Sequence, residues 1–168
     1  MIEREVIIMT QFSKVYDRFF DSITDNMYLE WTEQDTKKDV QNILIASLPG
    51  FEFPKKSLEY ELFDYNLMEF ADDSYFYEDL TQEEINIIVN LMLINWLQRQ
   101  ITSIDNTRQK YYGESFKLTS QASHLKSLIS LKEDLQKDTR KLQRLYKRRK
   151  IDNDGTISSN WSIFNTYK

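Results

Sequence analysis

Few side chains in this 168-residue chain are placed to do chemistry. The densest group is a run of carboxylates, Glu59, Glu61, Asp64, Glu69, Asp72, Asp73, Glu78 and Asp79, interleaved with aromatics between Phe51 and Phe76. Clustered carboxylates can hold a hard cation or divide acid and base roles between them, but both tasks need fixed spacing. No spacing within the run matches a known ligand loop, and an acidic, exposed strand face accounts for it. Asp152-Asn153-Asp154-Gly155 begins like a calcium loop, yet its sixth and twelfth positions are Ile157 and Ile163, where such a loop needs glycine and glutamate. His124 is the single histidine, and there is no cysteine to complete a thiolate nucleophile or a zinc site with it. Phosphate-cradling glycine loops and nucleophile elbows are missing as well. The sequence therefore assigns no catalytic residue, no cofactor and no metal ligand, and it reads as a protein without enzyme activity.

What remains is charge. The segment RLYKRRK gathers Arg144, Lys147, Arg148, Arg149 and Lys150 at the end of a helical pattern, where cations also complement the helix dipole. Such a cluster is either a solvated helix end or a contact for phosphate or an acidic protein surface. The net charge of −5 conceals a division: residues 1–84 carry 20 acidic against 7 basic side chains, net −13, and residues 85–168 carry 7 against 15, net +8. Opposite halves can attract within one fold, or between copies stacked acidic end on basic end.

Four helical patterns position these groups. Phe12, Val15, Tyr16, Phe19, Phe20 and Ile23 recur at helical spacing from Thr10, predicting a first helix that ends near 24–26. A second starts near Thr32 or Thr36, presents Val40, Ile43, Leu44 and Leu48, and stops at Pro49-Gly50. The third, from Thr81 to Ile104, opens with a capping box between Thr81 and Glu84. It is apolar on so much of its circumference (Ile85, Ile88, Val89, Met92, Trp96, Leu97) that other elements or other chains must cover it. The fourth runs from a cap at Thr119 or Ser120 to about Lys150. Leu128, Leu135 and Leu142 lie seven apart, and Leu131 and Leu145 form an offset row interrupted by Asp138. Its first half can pack on the third helix and its second half can extend toward a partner, with packing inside the chain as the default reading, since an amphipathic stripe is more often core than interface.

Between the second and third helices the period shortens toward two, with Leu58, Tyr60 and Leu62 alternating against polar residues, so 51–80 reads as an extended or hairpin segment. The fold class is therefore mainly α: residues 1–150 form a single helical domain with that insertion, and 151–168 form a C-terminal arm. The arm carries Trp161, Ile163, Phe164 and Tyr167, residues that a disordered tail rarely keeps without burying them, so it is expected to dock on another subunit. The absence of cysteine and of a secretory signal at the amino end suggests an intracellular origin. The apolar block 85–97, broken by Asn86, Asn90 and Asn95, is too short to anchor in a membrane.

The words DLTQEEI, WLQRQI, NTRQKY and LQRLYKRR fall within residues 79–150. That stretch resembles small virion proteins of tailed bacteriophages that form the neck, the head-to-tail connector or adaptor rings beneath the portal. The resemblance implies a mainly helical subunit repeated around a homo-oligomeric ring, twelve-fold by the same likeness. Such a ring binds the portal protein on one side and the next neck or tail protein on the other, and DNA passes through it. It implies a location at the head–tail junction of the virion, after synthesis in the host cytoplasm, and no enzyme activity. The competing reading is a small DNA-binding packaging or regulatory subunit using Arg108, Lys110, Tyr111, Tyr112 and the basic cluster. A third is an interaction domain that works as a soluble monomer.

Overall fold

The computed structural model describes residues 9–23, 26–62, 74–110, 118–151 and 157–159. Among them the chain is mainly helical. A short strand β1 (Thr10–Gln11) leads into α1 (Phe12–Ser22), a 3-10 turn at Asn26–Glu30, and α2 (Glu33–Ser47). Strands β2 (Tyr60–Glu61) and β3 (Tyr75–Phe76) follow, then the long helices α3 (Gln82–Lys110) and α4 (Leu118–Arg148), and a pair of strands β4 (Arg149–Ile151) and β5 (Ile157–Ser159). The expected class holds: four helices among the described residues, with the insertion between α2 and α3 supplying two antiparallel strands. The sequence pattern did not reveal β1, which adds to the other side of β3 to give the order β1-β3-β2, with Thr10 and Tyr60 both opposite Phe76.

Local chemistry explains where the helices begin. Thr32 caps α2 by accepting from the Asp35 amide at 3.1 Å. At the start of α3 the capping box is complete: the Thr81 amide donates to Glu84 at 2.7 Å and the Glu84 amide donates back to Thr81 Oγ1 at 3.3 Å. Two boundaries differ from the expectation. α3 continues through 105–110, past the expected end at Ile104, because with no proline or glycine there nothing breaks the helical ladder. α4 gives way to β4 at Arg149, and β5 folds back on it with Ile151 opposite Ile157, so the presumed arm starts as a hairpin.

α3 is the centre of the core. Ile85, Ile87, Ile88, Val89 and Met92 are buried against Phe12, Val15 and Phe19 of α1, Val40, Ile43 and Leu44 of α2, and Phe51, Phe76, Leu80 and Tyr146, and Leu97 and Ile101 are buried further along the helix. Its apolar circumference is covered largely by its own chain. Burying one such side chain contributes about 1.5–3 kcal/mol before entropy is counted.

α4 runs antiparallel to α3, and its second half packs on the body of the chain, though through polar side chains and not through its leucine row. Thr139, Gln143 and Tyr146, spaced four and three apart on one face, are buried. Gln143 donates to the Gly50 carbonyl (3.1 Å) and accepts from the Glu52 amide (2.7 Å). The Tyr146 hydroxyl donates to the buried Glu84 carboxylate and accepts from the Lys55 amide, while Lys55 Nζ lies 4.5 Å over its ring. Polar side chains, invisible to a search for apolar periodicity, hold this end down.

Burial and the Glu84 carboxylate push the Tyr146 hydroxyl well above the ordinary phenol range. A group whose folded pKa is raised contributes stability that is full below its unfolded value, about 10, and lost as pH climbs beyond it. Tyr146→Phe is expected to lower stability at neutral pH by about 1–3 kcal/mol, because it leaves buried Glu84 short of one donor. Chemical denaturation between pH 7 and 11 checks this: the gap between wild type and variant should narrow above pH 10.

Candidate interaction surface

The carboxylate run comes apart in the structure. Asp64, Glu69, Asp72 and Asp73 lie outside the described residues, and Glu59, Glu61, Glu78 and Asp79 are exposed. Glu61 accepts hydrogen bonds from the hydroxyls of Tyr77 (2.8 Å) and Tyr75 (2.9 Å), which hold its carboxyl below the usual range. Its role is a cross-strand tie between β2 and β3. Among the described residues no group of acidic side chains and histidine could hold a metal ion, and His124 is exposed on α4. No helix of the described residues is long and apolar enough to cross a membrane.

The five basic residues of the cluster have separate fates. Arg149 pairs with Glu83 at 2.7 Å, and its carbonyl accepts from Lys55 Nζ, so it fastens the end of α4 to the start of α3. Lys147 Nζ stands 3.8 Å over the Phe53 ring. Lys150 is on β4 opposite Ser158. Arg144 and Arg148 remain exposed on the outer face of α4 and pair with no carboxylate among the described residues. Arg140 and Lys141, which the sequence reading did not single out, share that face and that state. The cluster that sequence placed at the tip of a helix is, in three dimensions, a row along its side.

Beside this row runs an apolar ridge. Leu125 is buried and Leu128 and Leu135 are half-buried, as a packing stripe should be. Leu131, Leu142 and Leu145 are not: they are 55%, 37% and 40% exposed. Three and four residues apart are neighbours on a helix surface, so Lys141 and Arg148 flank Leu145 directly. Leu142 also forms one wall of an open groove of about 550 Å³ between α4, α3 and α1, floored by Val89 and closed at its far side by Arg18 and Asp21. Arg18 is fixed there by hydrogen bonds to Gln82 and Asn86.

A second patch lies in the link between α1 and α2. Leu29 is 82% exposed and Trp31 40% exposed, with Glu30, Glu33 and Asp35 exposed around them. The link is braced from beneath: Tyr28 stacks edge-on to both Phe20 (5.5 Å) and Trp31 (5.7 Å), and its hydroxyl donates to Asp39 (2.9 Å), which Arg99 holds at 2.8 Å. Sequence reasoning passed over Leu29 and Trp31 because they belong to no helical period. The available signal was two large apolar residues in a short polar connection.

Arg108 and Lys110 fall in the last turn of α3, and Tyr111 and Tyr112 lie outside the described residues, as do Trp161, Ile163, Phe164 and Tyr167 of the arm. No protein-family model, curated protein or solved structure matches the chain.

The split within the basic cluster has a measurable consequence. Arg149→Ala is expected to lower stability by up to about 1 kcal/mol through loss of the partly exposed Glu83 pair. Arg148→Ala should stay within about 0.5 kcal/mol of wild type. Parallel thermal melts of the two variants, with unequal shifts in that order, check the assignment.

Proposed function

We propose that the chain is a structural subunit of a tailed-bacteriophage virion, a neck or head-to-tail connector protein. In this role it assembles into a homo-oligomeric ring between the portal and the tail, with DNA passing through, and performs no catalysis. The observation that carries the reading is the outer face of α4. A helix tied to the core along one side by Thr139, Gln143 and Tyr146 keeps Leu131, Leu142 and Leu145 uncovered on its flank, with Lys141 and Arg148 beside Leu145 and Arg140 and Arg144 further round the helix, none of the four paired with a carboxylate among the described residues. Apolar residues rimmed by charge are the usual composition of a protein contact. The resemblance of residues 79–150 to connector proteins supports the same role, and the aromatic arm 160–168 offers a further segment for a neighbouring subunit.

The same unpaired cations favour one alternative, a small DNA-binding packaging or regulatory subunit in which the row tracks phosphates. The two differ in what the purified chain does without nucleic acid. Ring-shaped or stacked particles by electron microscopy in a DNA-free preparation support the connector. The double variant Arg144→Glu/Arg148→Glu should abolish them while leaving the fold intact, since neither side chain pairs with a carboxylate among the described residues. Arg149 is unsuited to this test because its loss would loosen the Glu83 tie. A chain that stays monomeric at high concentration yet binds duplex DNA, more weakly as salt rises, would overturn the connector reading in favour of the alternative.

A further inference from the structure

We infer that the α1–α2 link of one copy, bearing Leu29 and Trp31, seats on the leucine ridge and groove of α4 in a second copy, head to tail. The contact presupposes the assembly role proposed above and names the two surfaces that make it. Three observations favour this occupant over any other. Both patches present large apolar side chains to solvent: Leu29 and Trp31 on one, Leu131, Leu142 and Leu145 on the other. At the Leu145 end their surroundings are of opposite sign. Glu30, Glu33 and Asp35 border the first, although Glu33 is shared with Lys37 at 2.6 Å and Lys38 is a nearby cation; Lys141 and Arg148 flank Leu145 on the second, while Asp138, four residues before Leu142, and Asp134, three after Leu131, stand farther along the ridge. Finally, both patches are rigidly mounted, one on the Phe20–Tyr28–Trp31 ring stack and the other on a helix clamped by Gln143 and Tyr146, so docking costs little ordering entropy.

The division of charge along the sequence, −13 against +8, thus acquires a local counterpart at two defined surfaces. Because those surfaces differ, one contact leaves the pair with one link and one ridge still open. Such heterologous pairing continues until the rotation closes a ring, or else forms an open filament. Lys141 and Arg148 beside Leu145 supply the steering and the register, and the apolar residues supply the burial.

Two variants that each disable one surface test the pairing. Leu29→Gln/Trp31→Gln removes the apolar link and keeps the ridge; Leu131→Gln/Leu145→Gln removes the ridge and keeps the link. All four positions are exposed, and circular dichroism and melting should confirm that the helices survive. By sedimentation, wild type should form a concentration-dependent series beyond the dimer, weakened by added salt. Each variant alone should lose self-association by about a hundredfold or more. An equimolar mixture should recover a 1:1 dimer and nothing larger, since one intact link meets one intact ridge.

The pairing is overturned, with the assembly reading left standing, if wild type assembles but either variant assembles equally well. It is overturned likewise if the mixture stays monomeric, if wild type stops at a closed dimer, or if truncation at Asn160 alone abolishes association, which would make the arm the occupant. A wild-type chain that is monomeric at every concentration sinks both.

Discussion

A single buried carboxylate holds the architecture in register. Glu84 closes the capping box at the start of α3 and, from the same position, accepts the hydroxyl of Tyr146 near the end of α4. A charged group this deep would be costly if left alone, and here three donors from two elements surround it. The same few residues bring in the Gly50–Lys55 segment through Gln143 and Tyr146, and Arg149 through Glu83. The beginning of one long helix and the end of the other are thereby one polar joint, and the antiparallel alignment of α3 with α4 follows from it. With the inner face of α4 fixed by that joint, the opposite faces of the helix are left to solvent.

The joint also decides what the leucines of α4 are for. An amphipathic helix normally turns its apolar stripe inward, and heptad spacing of Leu128, Leu135 and Leu142 encouraged that reading. The buried row is instead led by threonine, glutamine and tyrosine in the second half of the helix, which rotates Leu131, Leu142 and Leu145 onto a flank. Hydrogen bonds to backbone groups of the 50–55 segment and to Glu84 outweigh the burial of one more leucine, because each unsatisfied group inside would cost about 1–3 kcal/mol. An exposed ridge on a well-packed helix is what results.

Much of the fold was legible beforehand for physical reasons that can be named. The helices α1 and α2 and the start of α3 were marked by period and by side-chain caps, signals that act within a few residues of chain. The strand β1 was not, since two residues have no period; its place is set by partners more than sixty positions away, the Phe12 amide bonding the Ser74 carbonyl and the Leu80 amide bonding Thr10. The end of α3 was misjudged because a polar stretch can be a turn or a solvated helix, and nothing in it chooses. Of the candidate surface, the basic residues were visible as a cluster but not their division. Whether an arginine is engaged depends on a carboxylate supplied by another element, as Glu83 is to Arg149.

The order in which these walls are supplied matters to the chain as it is made. α1 and α2 cover two sides of α3, but the side facing Leu125, Thr139 and Tyr146 has no cover until α4 is present. A nascent polypeptide emerges from the ribosome amino end first, so α3, the most apolar of the described helices, stays partly unsheltered until α4 has followed it. Chaperones have a defined surface to guard during that interval, and it disappears when Tyr146 reaches Glu84.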